Sequence, residues 1–189
     1  GARPSRRYSP AEAAAAYGKE LSGYAPVEKE AMSRYVDENG DINHVLRGTL
    51  KRPSVLSTEH LDAAISRHAL AEPTTVFRGV SMGDRTLAVG QVVTDAGYTS
   101  TSMVEGVADR WARQGGDGPA VFEIDLEVGQ HYALPETYAE DFQEGLADGM
   151  DASELVAGYE LLLPRGMSME VVEASTTDGV QRYRVRPVR

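Results

Sequence analysis

The sequence predicts an α+β fold, with helices in the first third of the chain and a β core after them. Helix-capping signals and apolar residues at helical spacing extend from residue 9 to residue 71. From Thr74 onward the chain becomes a series of short β-rich segments broken by glycine. Because 189 residues suit one core, we expect one domain with a helical part at 9–71 and a β core at 74–189.

The helices are predicted from their start signals and their apolar faces. Ser9-Pro10-Ala11-Glu12 combines an N-cap, a first-turn proline and a capping-box glutamate. The segment 37–41, Asp-Glu-Asn-Gly-Asp, has the composition of a turn. The predicted helices therefore run from Ser9 to about Gly23, from Pro26 to about Val36, from Ile42 to Arg47 and from Ser57 to Ala71.

The predicted turn superficially resembles a calcium-binding loop, because Asp and Asn alternate over positions 37–43. Such a loop needs glycine at its sixth position and glutamate at its twelfth, where this chain has Ile42 and Gly48. The four histidines also lack the spacing of metal ligands. We therefore expect no metal site.

The β core is predicted from short apolar segments bounded by turn residues. Two helical insertions interrupt this series of strands. Gly115-Gly116-Asp117-Gly118 is a turn that lacks the spacing of a dinucleotide-binding fingerprint. In the insertion near 136–147, apolar residues recur every fourth position. The predicted strands are 74–80, 91–94, 98–103, 119–127, 130–134, 159–164, 168–174 and 180–187, and the insertions are 104–114 and 136–147.

The chain carries a net charge of −10, which argues against a surface built to coat nucleic-acid phosphates. The segment from His131 to Ala157 contains no Lys or Arg. Its acidic residues are Glu136, Glu140, Asp141, Glu144, Asp148, Asp151 and Glu154. A basic partner surface and a merely solvated helix both fit this charge.

The chain has no cysteine, so the fold depends on neither disulfides nor thiolate metal sites. No apolar segment is long enough to span a membrane, and no signal-peptide core is present. We expect no membrane partner. The protein is expected either to stay inside the cell or to be the trimmed end of a larger delivered protein.

Three segments of the predicted β core carry polar side chains suited to chemistry. The first, 158–166, places Glu160 at the start of a leucine strand, where an ionised carboxylate requires solvent or a partner. The second, 74–79, ends an apolar strand with Arg78, a planar donor for phosphate or carboxylate. The third, 97–103, has four consecutive hydroxyl residues able to orient a carboxylate or a ribose. Each segment also fits an ordinary strand end or solvated face.

The three segments, in this order, resemble the mono-ADP-ribosyltransferases of the Arg, Ser-Thr-Ser, Glu class, which include bacterial actin-modifying toxins and Rho-modifying exoenzymes. Val76-Phe77-Arg78-Gly79, Tyr98 to Ser102 and Glu160 to Gly166 match the three strands of that class. Asp41-Ile42-Asn43 and Leu46-Arg47 resemble the helix before its β core. The resemblance covers nearly the whole chain and implies helices on a mixed, mostly antiparallel core of two sheets.

The resemblance also implies roles for individual residues, with NAD as the substrate. Arg78 would bind the NAD phosphates, Ser100 would position Glu160, and Glu160 would bind the ribose 2′-hydroxyl and stabilise the cation formed as nicotinamide leaves. The leaving group is already cationic, so this chemistry needs a carboxylate and a grip on the pyrophosphate, and no metal. The other implied NAD-binding residues are Gly79, Thr101, Ser102, Asn43, Arg47, Trp111 and Arg113, with Trp111 to Arg113 in the phosphate-nicotinamide loop.

The chain departs from the class at Gly158, two positions before Glu160, where related enzymes carry glutamate or glutamine. A glycine has no side chain with which to orient or deprotonate an acceptor. Glu154, close by in sequence, is a candidate substitute base.

The resemblance makes transfer of ADP-ribose to a macromolecule the leading function. An NAD glycohydrolase, a nucleic-acid-directed transferase and an inactive NAD-binding or interaction module remain alternatives. We expect a protein acceptor in preference to nucleic acid, and a cognate immunity or antitoxin protein is a further candidate partner. The expected protein is a monomeric toxin or bacterial effector, secreted or delivered into a target cell and acting in its cytoplasm.

Overall fold

The computed structural model describes residues 4–17, 23–49, 58–151, 155 and 158–189. Its helices are α1 (Pro10–Tyr17), α2 (Pro26–Leu46), α3 (Thr58–Ser66), α4 (Glu105–Gln114) and α5 (Glu140–Ala147), with a 3₁₀ turn at Pro135–Tyr138 before α5. Its strands are β1 (Thr74–Ser81), β2 (Val92–Thr94), β3 (Thr99–Ser102), β4 (Pro119–Leu126), β5 (Glu160–Leu163), β6 (Ser168–Thr177) and β7 (Val180–Pro187). The α+β fold class, with helices before the β core, is confirmed.

The strands form one mixed sheet of seven strands in the order β2-β6-β7-β4-β1-β3-β5. Strands β4 and β7 are parallel, and the other neighbouring pairs are antiparallel. The expected division into two sheets is not confirmed, because one register pair, Phe77 with Ser102, joins β1 to β3. This junction connects a five-stranded part of the sheet to a two-stranded part.

Two capping arrangements explain where the first helices begin. The Ser9 hydroxyl accepts the Glu12 N–H at 3.2 Å, and the Glu12 carboxylate accepts the Ser9 N–H at 3.2 Å, as the sequence predicts. At the start of α2, Glu28 accepts the Ala25 N–H at 2.8 Å and also binds Arg67. The second interaction ties α2 to the end of α3.

The predicted turn over 37–41 is wrong, since α2 continues without interruption from Pro26 to Leu46. Tyr35, Ile42 and Asn43 are buried on this helix, and Ile42 packs in the same apolar cluster as Met32 and Tyr35. Burial of this face outweighs the weak turn preference of the polar residues between them. Among the described residues, no cluster of His, Cys, Asp or Glu is suited to hold a metal ion.

Other boundaries also differ from the predictions. The segment 130–134 forms isolated bridges at His131 and Ala133 and no strand. The insertion near 136–147 is interrupted at Ala139, which is extended between the 3₁₀ turn and α5. Helix α3 ends at Ser66, five residues before Ala71. Residues 18–22 and 57 of the predicted helices lie outside the described part of the chain.

Different helices cover different parts of the sheet. Helix α4 packs on β1 and β4, and its approach is so close that a Cβ at Gly79 would lie 1.9 Å from the Ala108 carbonyl oxygen. Helices α2 and α3 cover the β3–β5 pair, with Tyr98 and Leu162 in their shared core. The β3–β5 pair is thereby held against the end of α2. None of the described helices is long and apolar enough to cross a membrane.

Candidate active site

Glu160 is the first residue of β5, and it is almost fully buried, at 7% exposure. The preceding residue, Tyr159, has a φ of +46°, a left-handed conformation that is rare for an aromatic residue. Burial raises the pKa of Glu160 to about 8, and the nearby charge of Glu136 adds to the increase. A hydrogen bond from Ser100 and the charge of Arg78 act in the opposite direction. In the free protein at pH 7, Glu160 is therefore mostly protonated.

A chain of hydrogen bonds runs from α2 to Glu160. Asn43 Nδ2 donates to the Tyr35 hydroxyl at 3.0 Å, and that hydroxyl lies 2.7 Å from Ser100 Oγ. Ser100 in turn bonds to the Glu160 side chain. When Ser100 donates to the carboxylate, Tyr35 can donate to Ser100, so each hydroxyl in the chain points toward the negative charge.

Arg78 extends from β1 to the same cluster. Its Nη1 donates to the Ser100 carbonyl at 2.8 Å, and 23% of its side chain is exposed. Burial, together with the neighbouring charge of Arg47, lowers the pKa of Arg78 below its usual value. The guanidinium stays charged, because arginine does not lose its proton in proteins. Arg78, Ser100 and Glu160 therefore converge in one place.

Arg47, at the end of α2, is held by Asp95 in a bidentate pair with distances of 2.8 and 2.8 Å. A Cβ at Gly97 would lie 2.9 Å from Asn43 Oδ1 and 3.0 Å from Arg47 Nε, so the glycine allows α2 to reach this loop. Asp95 also lies 4.0 Å from Arg78 Nη2. One carboxylate thus faces both guanidinium groups.

A groove of about 500 Å³ opens beside the two arginines, within the usual range for small-molecule sites. Glu160 and Ser100 are not among the residues that line it; Arg78 connects them to its wall. The lining residues are Arg47, Arg78, Val80, Ser81, Met82, Arg85, Leu87, Val93, Thr94, Asp95, Thr99, Phe122, Ile124, Met167 and Met169. Three guanidinium groups beside apolar walls suit a ligand with both phosphates and a flat ring.

Several predicted NAD-binding residues have structural contacts. Gly79 allows α4 to approach β1, and Asn43 accepts the Tyr98 N–H at 2.8 Å while bonding to Tyr35. Thr101 donates to the Leu161 carbonyl at 2.6 Å, which fixes β3 on β5. Ser102 donates to the Gly158 carbonyl at 2.7 Å and accepts the Val104 N–H at 3.0 Å. These contacts hold the strands that present Arg78 and Glu160.

Trp111 and Arg113 lie on helix α4, and not in a loop as expected. The Trp111 ring packs against the backbone of Gly158, since a Cβ added there would lie 3.1 Å from Trp111 Cζ2. Trp111 therefore borders the segment that leads into Glu160. Arg113 is exposed near the end of the helix and is not among the groove residues.

Glu136 lies where a side chain at Gly158 would point. A Cβ added at Gly158 would be 2.8 Å from Glu136 Oε1. Glu136 also accepts the N–H groups of Gly158 at 3.3 Å and of Glu160 at 2.9 Å. Glu154, the candidate substitute base, lies outside the described residues.

Sequence reasoning did not assign site roles to Tyr35, Asp95 and Glu136. The eight-residue spacing from Tyr35 to Asn43 places both on one helical face, so a continuous α2 would have linked them. Asp95 precedes Ala96-Gly97, where a carboxylate commonly binds a backbone N–H two residues later, and it accepts the Gly97 N–H at 2.9 Å. Glu136 gave no signal beyond belonging to an acidic segment.

A model of the ADP-ribosyltransferase exoenzyme family matches residues 10–187. No curated protein matches the chain. The match includes β1, β3 and β5 with Arg78, Ser100 and Glu160. It therefore covers every element of the cluster described above.

Solved structures of similar fold include bacterial ADP-ribosyltransferases. The C3 exoenzyme of Clostridium limosum is 18% identical with a TM-score of 0.73, over 99% of this chain and 98% of that chain. C3stau2 of S. aureus, solved with NAD, is 19% identical with a TM-score of 0.70, over 99% and 100%. Exoenzyme S of Pseudomonas aeruginosa, solved with carba-NAD and human 14-3-3 protein beta, is 22% identical with a TM-score of 0.63, over 92% and 80%.

At these identities the solved structures establish the fold, and the family model establishes the relationship. The expected resemblance is thereby confirmed, and the alternatives to a transferase are not favoured. The chain belongs to the ADP-ribosyltransferase exoenzyme family and is an NAD-dependent mono-ADP-ribosyltransferase.

Proposed function

We propose that Arg78 and Arg47 bind the NAD pyrophosphate in the groove, and that Glu160 stabilises the positive charge on the ribose as the bond to nicotinamide breaks. The observation that supports this assignment is the convergence of Arg78, Ser100 and Glu160, since Arg78 also lines the groove together with Arg47. Part of the hydrogen bonding between Asp95 and Arg47 would then be replaced by hydrogen bonds from Arg47 to the phosphates. Thr101, Ser102 and Asn43 would keep the cluster rigid.

Glu160 needs only its negative charge and its orientation to act in this way. Ser100 and Tyr35 fix the orientation through the hydrogen bonds described above. The cationic nicotinamide end of NAD would add a second positive charge near the buried carboxylate, beyond that of Arg78. Because the free protein has a Glu160 pKa of about 8, kcat/KM should increase with pH up to about that value.

We infer that the acceptor is a protein with a basic surface. The residues around α5 next to Glu136 are acidic and exposed, and they include Glu140, Asp141, Glu144 and Asp148. Leu146 is 40% exposed and Met150 is 45% exposed among these charges. An acidic surface with apolar residues attracts basic protein surfaces and repels the phosphates of nucleic acid. In this proposal the chain is a monomeric one-domain toxin, delivered to a target cell and acting in its cytoplasm, with an immunity protein as partner.

The experiment compares the wild type with Glu160→Gln on labelled NAD in a cell lysate. Nicotinamide release and transfer of label should fall by about a thousandfold in the variant, because Gln cannot compensate the ribose cation. Labelled product should be degraded by protease and resist nuclease. Release without label would identify hydrolysis, nuclease-sensitive label would overturn the protein acceptor, and unchanged release would overturn the role of Glu160.

A further inference from the structure

A second carboxylate lies against the backbone that leads into Glu160. Glu136, in the 3₁₀ turn Pro135–Tyr138, is half-buried. Its Oε1 accepts the N–H of Glu160 at 2.9 Å and its Oε2 accepts the N–H of Gly158 at 3.3 Å. The two donors lie on either side of Tyr159. Glu136 therefore bridges the residue whose backbone has the unusual conformation.

The left-handed φ of +46° at Tyr159 requires such support, because this conformation costs an aromatic residue about 1–3 kcal/mol. Carbonyl groups of the segment are also bound. Ser102 donates to Gly158 at 2.7 Å, and the Met103 N–H donates to Tyr159 at 3.0 Å. Glu136 supplies both acceptors for the N–H groups. The direction in which Glu160 leaves the backbone depends on this set of contacts.

The space around Gly158 is adapted to Glu136. A Cβ at position 158 would lie 2.8 Å from Glu136 Oε1 and 3.1 Å from Trp111 Cζ2. Any side chain there would displace the carboxylate, the indole ring or the backbone. Glycine at position 158 therefore leaves room for the Glu136 carboxylate and the Trp111 ring. A larger residue there would require one of these two side chains, or the backbone, to move.

The groups that face Glu160 come from five elements. Arg78 on β1 attracts its charge, Ser100 on β3 donates a hydrogen bond to it, and the Tyr35 hydroxyl on α2 adjoins Ser100. From α1, the Tyr17 hydroxyl donates to the Glu160 carbonyl oxygen. Glu136, in the 3₁₀ turn, opposes ionisation of Glu160 through its like charge. Arg78 and Glu136 thus act on the carboxylate in opposite directions.

The geometry points to Glu136 as a positioning residue that acts through Glu160: its carboxylate holds the backbone on both sides of Tyr159 and places a negative charge next to the catalytic carboxylate. This inference rests on the proposed role of Glu160. A cationic substrate group would attract both carboxylates, so bound NAD would favour ionisation of Glu160 against the repulsion from Glu136.

The test uses three variants of the full chain, Glu136→Gln, Glu136→Ala and the matched control Glu59→Gln from the exposed first turn of α3. Nicotinamide release is measured from pH 5.5 to pH 9.5 for each. Gln retains an acceptor oxygen but removes the charge, so the midpoint of the kcat/KM profile should shift to lower pH by about one unit. Ala removes both acceptors, so its kcat at high pH should fall by about tenfold or more with little change in KM for NAD. Glu59→Gln should match the wild type in both measurements.

A fourth variant, Gly158→Ala, tests the match between Gly158 and Glu136. Its Cβ should displace the Glu136 carboxylate and lower kcat about as much as Glu136→Ala does. The double variant should then lose much less than the product of the two single losses. Should the single losses multiply, Glu136 and Gly158 are not coupled.

Different outcomes separate this inference from the proposed function. If Glu160→Gln retains nicotinamide release, the role of Glu160 is wrong. If Glu160→Gln is inactive but Glu136→Gln has the wild-type midpoint, only the inference about Glu136 is overturned. If a thermal melt shows that Glu136→Ala does not fold, the midpoint of the kcat/KM profile of Glu136→Gln still tests the inference about Glu136.

Discussion

The two ends of the site differ in how their charged groups are paired. At the arginine end, Arg47 and Arg78 face Asp95, and the Arg47 pair is bidentate at 2.8 Å. At the glutamate end, Glu160 and Glu136 bring two carboxylates to the same short segment, next to the left-handed Tyr159. The arginine end is satisfied without a ligand. The glutamate end carries both backbone strain and repulsion between like charges.

This difference indicates where binding energy is used. A phosphate at the arginine end replaces a carboxylate that is already there, so the gain is a difference between two anions. A cation at the glutamate end meets a charge that burial and Glu136 destabilise, so relief of that cost favours the charged state of the reacting sugar. We therefore expect the arginine end to govern mainly NAD affinity and the glutamate end to govern mainly the rate.

The largest effect that tests this division is expected from Arg78, which contacts both ends. Arg78→Ala removes the proposed phosphate ligand and the cation that lowers the pKa of Glu160, so kcat/KM should fall by about a hundredfold or more at pH 7. Arg78→Lys keeps the charge but loses the planar donor, so its loss should be about tenfold. Steady-state kinetics of nicotinamide release measure both.

The matched control is Arg186→Ala, which removes an exposed ion pair with Glu170 on neighbouring strands. Its kinetics should equal those of the wild type. Equal losses for the Lys and Ala variants of Arg78 would show that the planar donor, and not the charge, carries the effect.

A second prediction concerns the stability of the free protein. The folded pKa of Glu160, about 8, is above its ordinary value of 4.5, so the folded state holds a proton that the unfolded state has lost between these values. The stabilisation is complete below pH 4.5 and is lost as the pH rises through 8. Glu160→Gln does not titrate, so its free energy of unfolding relative to the wild type should increase from pH 5 to pH 9 by a few kcal/mol at most.

Urea denaturation at pH 5, 7 and 9 measures this difference. Glu140→Gln, which removes an exposed carboxylate at the start of α5, should show no such dependence on pH. Parallel stability curves for Glu160→Gln and the wild type would show that the glutamate end is not electrostatically strained in the free protein.

Local patterns predicted the strands that carry the site. Arg78, Ser100 and Glu160 lie in short segments whose ends are marked by glycine or proline, and β1, β3 and β5 form there. The polar segment 37–41 misled the prediction, because turn composition is a local property and α2 is stabilised by distant contacts. Tyr35 and Ile42 of α2 are buried in one cluster with Tyr98 and Leu162, which come 56 to 127 residues later in the chain.

The same reason explains which site contacts the sequence did not reveal. Glu136 reaches Glu160 through backbone N–H groups, and every residue type except proline offers such a donor. Asp95 meets Arg47 only because α2 continues past the predicted turn. The sequence motif therefore identified Arg78, Ser100 and Glu160 but not Glu136 and Asp95, which contact them or their neighbours.

The smallest predicted effect comes from Asp95, which neutralises the arginine end. Although burial opposes it, the hydrogen bond from Arg47 gives Asp95 a pKa below its ordinary value. Asp95→Asn should cost about 1–2 kcal/mol of stability through the weaker hydrogen bonds. It should also tighten NAD binding by a fewfold, since the arginines then face no competing anion.

Asp62→Asn removes the anion that pairs with Arg165 outside the groove, so it should cost similar stability without changing NAD affinity. Calorimetric NAD titration of both variants measures the contrast. Weaker NAD binding by Asp95→Asn would mean that Asp95 orients the arginines more than it competes for them.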